Sequence, residues 1–252
     1  MLARTASIAV LIFFLSGVIS APQHTIPKAS DFATSANGSV IGNAHGCRIL
    51  YLGFVGGVEP PNNKHSGVVQ LRDILQGSGH LDVCARSFSP YVWPAGLSWL
   101  MKHFPAEPAQ LTPEQLQESP KVILVGHSMG GWAALAVARE LRGRNIPVEL
   151  TIQVDSVGIT DHTVPRNVKS AAIFHANDAL MFLTTKHLRV EDPNRTKILA
   201  DVKVDGVGHE SITRDPRIRQ LVLDTVDSLR AAYAANVTSA AKPPASRGTE
   251  QK

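Results

Sequence analysis

The sequence predicts an α/β protein whose mostly parallel sheet is covered by helices on both faces. Short apolar, β-branched runs alternate with amphipathic or alanine-rich segments along the chain. This alternation indicates parallel strands joined by helices. The chain has 252 residues, which suits a single domain of this kind. Because the connections between the predicted elements are short, they leave no room for a separate cap domain.

Six strands and five helices account for the central part of the chain. The strands are predicted over residues 48–54, 81–86, 121–125, 148–154, 171–174 and 198–204. The helices are predicted over residues 68–76, 96–104, 113–118, 132–141 and 215–234. Gly77 ends the first of these helices, and the last has apolar residues at helical spacing. Together these elements predict one domain over residues 46–235.

The two ends of the chain differ from this domain. In residues 1–20, Arg4 is followed by an uncharged apolar stretch and small residues, the pattern of a cleaved signal peptide. The stretch is shorter than the roughly 20 residues of a membrane span, so we favour a secreted or periplasmic protein over one with an N-terminal membrane anchor. Residues 21–45 are predicted to form a surface leader, and residues 236–252 a disordered tail.

The two cysteines and the charge distribution limit the possible functions. Cys47 and Cys84 can form a disulfide in an oxidising compartment. However, one is predicted at the start of its strand and the other well inside the next, an offset that can separate the two beyond bridging distance. The sequence therefore leaves the bridge open, and without a histidine at ligand spacing it predicts no zinc site. The net charge of +4 is scattered along the chain, which argues against a nucleic-acid partner.

The run Gly126-His127-Ser128-Met129-Gly130 lies between a predicted strand and a predicted helix. This context is the one that a nucleophile elbow requires, in which a sharp turn projects a serine hydroxyl outward. Glycines at the first and last positions allow the strand and the helix to cross closely. The turn also places the Met129 N–H at a helix N-terminus, where it can stabilise an oxyanion. We therefore predict that Ser128 is a nucleophile.

A serine nucleophile needs a base, and His209 is the favoured candidate. It lies in the glycine-rich run 205–210, directly after the last predicted strand and before the final helix. Functional groups of open α/β sheets gather beyond the carboxyl ends of the strands. His175 and His187 are rivals, but His187 lies among basic residues and His175 ends a strand ahead of an acid.

On these residues the chain resembles the α/β-hydrolase superfamily, particularly its small secreted esterases and lipases. The resemblance covers roughly residues 47–235 and is carried by the run 126–131 and by the chain order serine, acid, histidine. It implies the α/β-hydrolase fold, a Ser-His-Asp triad and hydrolysis of an acyl bond through an acyl-enzyme. It implies no cofactor.

Two aspartates fit the acid of the triad. Asp155 ends the strand that follows the nucleophile helix, a position similar to that of the acid in some lipases. Asp178 follows the next strand, which is the commoner place across the superfamily. We favour Asp155, because it leaves its strand more abruptly and its carboxylate direction is better fixed. Asp178 stays the alternative.

A second oxyanion donor is expected in the loop after the first strand, at Gly56 or Gly57, where glycines let backbone N–H groups approach a ligand. The superfamily often carries His-Gly there, whereas this chain has Val55-Gly56. The aromatic run 87–94, at the same edge of the sheet, is a candidate wall of an acyl pocket.

The sequence thus predicts a secreted serine hydrolase that cleaves carboxylic esters, including lipid esters. A thioesterase or an acyltransferase would use the same triad. A non-catalytic binding protein with this fold is the alternative of a different class. The expected partner is a small-molecule or lipid acyl ester, and no stable protein partner is implied.

Overall fold

The computed structural model describes residues 46–105, 111–157, 162–176 and 185–240, the last four of these as backbone alone. They contain one sheet of six parallel strands in the order β2-β1-β3-β4-β5-β6. The strands are β1 Ile49–Phe54, β2 Val83–Phe88, β3 Lys121–His127, β4 Val148–Val154, β5 Val168–Ala176 and β6 Lys197–Val204. The mostly parallel sheet predicted from the sequence is confirmed.

The helices cover both faces of this sheet, also as predicted. They are α1 Gly67–Gly77, α2 Trp93–Met101, α3 Pro113–Glu118, α4 Met129–Gly143 and α5 Pro216–Ala240, with 3-10 turns at Pro90–Val92 and Ser211–Arg214. Side chains of β1 alternate between two cores: Tyr51 packs with residues of α1 and α5, whereas Leu52 packs with residues of α2 and α4. Among the described residues the connections between strands contain no additional helical domain.

The register brings the carboxyl ends of four neighbouring strands together. Gly126 pairs with both Phe54 and Gln153, and Val154 pairs with His127 and Phe174. We call the ends of β1, β3, β4 and β5, at Phe54, His127, Val154 and Ala176, the carboxyl edge. Loops that follow these strands are therefore neighbours, although the chain separates them widely.

The disulfide that the sequence left open is formed. Cys47 and Cys84 are bonded, with their Cα atoms 5.7 Å apart. The expected offset was wrong because Cys47 lies outside β1, before a bend at Arg48, and so does not follow the register that pairs Leu50 with Cys84. The backbone N–H of Arg48, next to Cys47, donates to the Asp82 carbonyl 2.8 Å away.

The fold also brings a histidine to this disulfide. Nitrogen or sulfur atoms of His103, Cys47 and Cys84 lie within 4.8 Å of one another. His103 lies in the turn after α2, far from both cysteines in sequence, so the sequence shows no histidine at ligand spacing. Both sulfur atoms are taken up by the disulfide bond.

Several predicted segments lie at or beyond the limits of the described residues. The signal peptide (1–20) and the leader (21–45) lie outside them, as do residues 241–252 of the predicted tail. Helix α5 passes its predicted end at residue 234 and continues to Ala240, so residues 236–240 of the predicted tail are helical. Within the described ranges no helix has both the length and the apolar character needed to cross a bilayer.

Candidate active site

Ser128 lies in a strained turn between β3 and α4. Its φ and ψ are 55° and −125°, a conformation that side-chain-bearing residues rarely adopt and that costs about 1–3 kcal/mol. The Ser128 N–H donates to the Val154 carbonyl at 2.9 Å, and its carbonyl accepts from Gly131 at 3.0 Å. The surrounding backbone therefore holds the strain in place, as the elbow predicted from the sequence requires.

Two glycines of the run permit this turn. A side-chain carbon on Gly126 would overlap the Gly130 carbonyl, and one on Gly130 would overlap the Phe54 carbonyl. The start of α4 thus lies directly against the ends of β1 and β3. Any larger residue at either position has to push these elements apart.

Asp155 follows β4 at the same edge, in a conformation that also disfavours a side chain (φ 42°). It is fully buried. Its N–H donates to the Phe174 carbonyl at 2.6 Å, and its Oδ1 accepts from the Ala176 N–H at 2.9 Å. The backbone bond anchors Asp155 to β5, the bond from Ala176 fixes the direction of the carboxylate, and Oδ2 is left for a further partner.

His209 supplies that partner. Its Nδ1 lies 2.5 Å from Asp155 Oδ2, and its side chain is 18 % exposed while that of Asp155 is 0 % exposed. A carboxylate accepts, so Nδ1 carries the proton and Nε2 is the nitrogen available as a base. The structure therefore brings His209 to Asp155, the favoured aspartate. Asp178, its alternative, lies outside the described residues.

The two rival histidines form a separate contact. The rings of His175 and His187 lie 6.4 Å apart in an edge-to-face arrangement. Burial holds the pKa of His175 below its usual value, although the negative charges of Asp201 and Asp155 oppose this. His187 Nδ1 lies 3.7 Å from Asp201 Oδ2.

The predicted oxyanion donors lie in or against the first turn of α4. Met129 is the first residue of α4, so its N–H has no acceptor within the helix. A side-chain carbon on Gly57 would lie 2.8 Å from the sulfur of Met129 and 3.0 Å from the hydroxyl of Tyr91. The loop after β1, which contains Gly56 and Gly57, therefore lies against the first turn of α4. The Tyr91 hydroxyl, from the predicted aromatic loop, lies 3.7 Å from the Met129 sulfur.

A buried histidine–carboxylate contact next to these groups was not predicted from the sequence. The His127 side chain is 1 % exposed, and its Nδ1 lies 3.0 Å from Glu59 Oε1. Its Nε2 lies 2.8 Å from the carbonyl oxygen of His209. The available signal was a histidine at the end of an otherwise apolar buried strand, where an unpaired imidazole would be costly.

Solved structures with similar folds include several hydrolases. RedJ, a thioesterase from the prodiginine pathway in Streptomyces coelicolor, is 13% identical with a TM-score of 0.44, covering 77% of this chain and 96% of that one. Est1E from Butyrivibrio proteoclasticus, solved with ferulic acid, is 12% identical with a TM-score of 0.41, covering 73% and 92%. XC6422 from Xanthomonas campestris, described as an α/β serine hydrolase without lid, is 13% identical with a TM-score of 0.40, covering 71% and 81%.

No protein-family model and no curated protein matches the sequence. The fold is therefore assigned from the chain's own residues. Six parallel strands in the order β2-β1-β3-β4-β5-β6 carry a strained serine between β3 and α4, with an aspartate after β4 and a histidine before α5. This arrangement identifies the chain as having the fold of the α/β-hydrolase superfamily.

Proposed function

We propose that the protein is a serine hydrolase that cleaves carboxylic esters through an acyl-enzyme on Ser128. The observation that carries the proposal is the contact between Asp155 and His209. A fully buried carboxylate, which accepts from the Ala176 N–H and belongs to a residue whose own N–H is bonded to β5, meets an imidazole nitrogen at 2.5 Å. A buried charge needs such a partner, and the same contact leaves the other imidazole nitrogen ready to take a proton.

In the proposed acylation step, Ser128 Oγ attacks the acyl carbon while His209 Nε2 takes the hydroxyl proton. Asp155 stabilises the imidazolium that forms and keeps the ring in the required tautomer. The carbonyl oxygen becomes an oxyanion and accepts hydrogen bonds from the Met129 N–H and from an N–H of Gly56 or Gly57. The C–O bond to the leaving group then breaks, and His209 returns its proton to the departing alcohol oxygen.

Deacylation reverses these roles with water. His209 removes a proton from a water molecule, whose oxygen attacks the acyl carbon of the Ser128 ester. The second tetrahedral intermediate uses the same oxyanion donors. When it collapses, the carboxylic acid leaves and Ser128 Oγ recovers the proton from His209. A thioester substrate would follow the same steps with a thiol as leaving group.

The first experiment is intact-mass analysis after exposure to a fluorophosphonate, which needs no knowledge of the natural substrate. We expect one adduct on the native protein, none on Ser128→Ala, and an unchanged adduct on Ser98→Ala, a control at an exposed position of α2. Absence of an adduct on a well-folded native chain would overturn the mechanism and favour a non-catalytic binding protein. Release of acid from p-nitrophenyl esters and from matched thioesters then separates the two substrate classes.

We also infer that the protein is exported. Disulfides persist in oxidising compartments, and the Cys47–Cys84 bridge supports this inference together with the predicted signal peptide. The mass of the mature N-terminus tests it. Cleavage near residue 20 is expected, whereas an intact Met1 in a membrane fraction would favour the anchored alternative.

A further inference from the structure

The ring of His127 contacts oxygen atoms on both sides. Its Nε2 is 2.8 Å from the backbone carbonyl of His209, and its Nδ1 is 3.0 Å from the carboxylate of Glu59. Because a carbonyl oxygen can only accept, Nε2 carries a proton in this contact. The Glu59 side chain is itself largely buried, with 11 % of its area exposed.

The surroundings of the Glu59 carboxylate favour its ionised form. Burial acts to raise the pKa of Glu59, but the adjacent His127 ring, the Ser66 hydroxyl and the Gly56 backbone together outweigh burial and hold that pKa below its usual value. A negative carboxylate therefore faces Nδ1, and the ring is oriented with Nε2 towards His209.

The loop that carries His209 is shaped by short-range bonds and tied to the sheet by long-range ones. Within the loop, the Gly208 N–H donates to Ser211 Oγ at 2.9 Å. Two ties to the carboxyl edge are Asp155, which bonds the His209 ring, and His127, which bonds the His209 backbone. A bond to the ring orients the imidazole, whereas a bond to the backbone carbonyl also sets the position of the His209 Cα.

The same pair contacts the loop after β1. The Glu59 N–H donates to the Gly56 carbonyl at 3.1 Å and closes a turn. A side-chain carbon on Gly56 would lie 3.1 Å from His127 Nδ1 and 3.2 Å from Glu59 Oε1. Both distances are shorter than ordinary van der Waals contact, so the backbone at Gly56 lies against the His127–Glu59 pair and leaves little room for a side chain.

We propose that Glu59 and His127 are positioning residues, which hold the His209 loop and the Gly56–Gly57 turn in register with Ser128. The proposal rests on the hydrolase function proposed above. Neither side chain touches the reacting atoms in this assignment. Each acts through a backbone: His127 through the His209 carbonyl, and Glu59 through His127 and the Gly56 turn.

This role predicts a particular kinetic pattern. Misplacing a base and an oxyanion donor weakens interactions made only in the transition state, so kcat falls while KM changes little. A displacement of about 1 Å costs up to about 100-fold in rate. We therefore expect kcat to fall about 10- to 100-fold in Glu59→Gln and in His127→Phe.

Conservative variants and a matched control separate positioning from general stability. His127→Gln keeps a donor that can reach the His209 carbonyl, so it should recover most of the rate lost in His127→Phe. Glu149 is the control for Glu59. Its side chain is 9 % exposed and pairs with Lys169 at 2.8 Å, but it lies near the amino end of β4. Glu149→Gln should leave kcat within about 2-fold of native while changing thermal stability.

Hydrogen exchange of the backbone gives a readout that does not depend on catalysis. In Glu59→Gln and His127→Phe, the amides of residues 206–211 should exchange at least about 10-fold faster than in the native protein, and in Glu149→Gln they should not. Unchanged exchange there, or an unchanged kcat in a folded Glu59→Gln, overturns the positioning role. If exchange responds as expected but the native chain forms no fluorophosphonate adduct, the hydrolase proposal fails, whereas the role of Glu59 and His127 in holding the His209 loop is retained.

Discussion

The two ends of the sheet are built differently. At the carboxyl edge, polar groups are buried and backbone is strained: Ser128 and Asp155 are two of three non-glycine residues with positive φ among those described. At the amino end, ordinary stabilising contacts dominate. They comprise the disulfide, the Arg230–Asp82 ion pair and the hydroxyl of Tyr233, which donates to the Ser119 carbonyl at 3.1 Å.

The fold thus places its stabilising contacts and its candidate catalytic groups at opposite ends of the sheet. Strain and buried charge cost free energy and persist only where the surrounding structure holds them. Contacts at the amino end stabilise the same sheet, and this stabilisation offsets the free-energy cost of strain and buried charge at the carboxyl edge. Substitutions at the amino end should therefore change the free energy of unfolding and spare activity, whereas those at the carboxyl edge should act chiefly on activity.

The largest expected effect is at the carboxyl edge, in Asp155→Asn. An amide cannot hold His209 in the tautomer that leaves Nε2 unprotonated, so kcat should fall about 10⁴-fold, as for triad acids generally. Steady-state hydrolysis of p-nitrophenyl acetate measures the loss. Asp178→Asn is the matched control and should stay near native activity. If Asp178→Asn instead carries the loss, Asp178 is the acid and the Asp155 contact has a structural role.

Removing the disulfide should produce the largest effect at the amino end. The bridge closes a loop of sequence separation 37, and loop-closure entropy in the unfolded chain then contributes about 3–4 kcal/mol. The double variant Cys47→Ser/Cys84→Ser should lose this much unfolding free energy in urea titrations and keep its kcat at 25 °C. A fall in kcat with intact secondary structure would instead connect the amino end to the site.

Parts of this picture could be predicted from sequence because the signals are local. The run around Ser128 contains its own glycines, strand and helix, so the elbow is readable without tertiary information. The choice between Asp155 and Asp178 could not be read from the sequence in this way. The direction of the Asp155 carboxylate depends on a positive φ and on the N–H of Ala176, which belongs to another strand. The sequence could favour one aspartate but could not fix a direction in space.

Contacts across the chain were missed for the same reason. The His127–Glu59 pair joins the end of β3 to the loop after β1, and the sequence of neither segment indicates that the two are in contact. The disulfide was left open through a smaller error. Cys47 was placed at the start of the first strand, whereas β1 begins at Ile49 after a bend at Arg48, and strand boundaries are the least certain part of such a prediction.

A smaller effect tests the strain itself. Ser128→Gly removes the side chain that makes φ 55° unfavourable, so it should raise the unfolding free energy by about 1 kcal/mol after the added flexibility of the unfolded chain is counted. Ser128→Ala keeps the Cβ and should show no such gain, although both variants are inactive. Asn145→Gly, at φ 57° before β4, is the comparison at the amino end. The unfolding free energy should rise less in this variant, because asparagine tolerates a positive φ better than serine does.

The smallest expected effect is at the amino end and concerns Tyr233. Burial, with the negative charges of Glu149 and Asp82, raises the pKa of Tyr233 from 10.0 to about 12. Because the unfolded chain loses this proton first, the stability it contributes is complete below pH 10 and is lost as the pH rises towards 12. Tyr233→Phe should lower the unfolding free energy by about 1 kcal/mol at pH 8 and weaken its decline between pH 10 and 12. Its kcat at pH 8 should match native, and a deficit there would show that the amino end also positions the site.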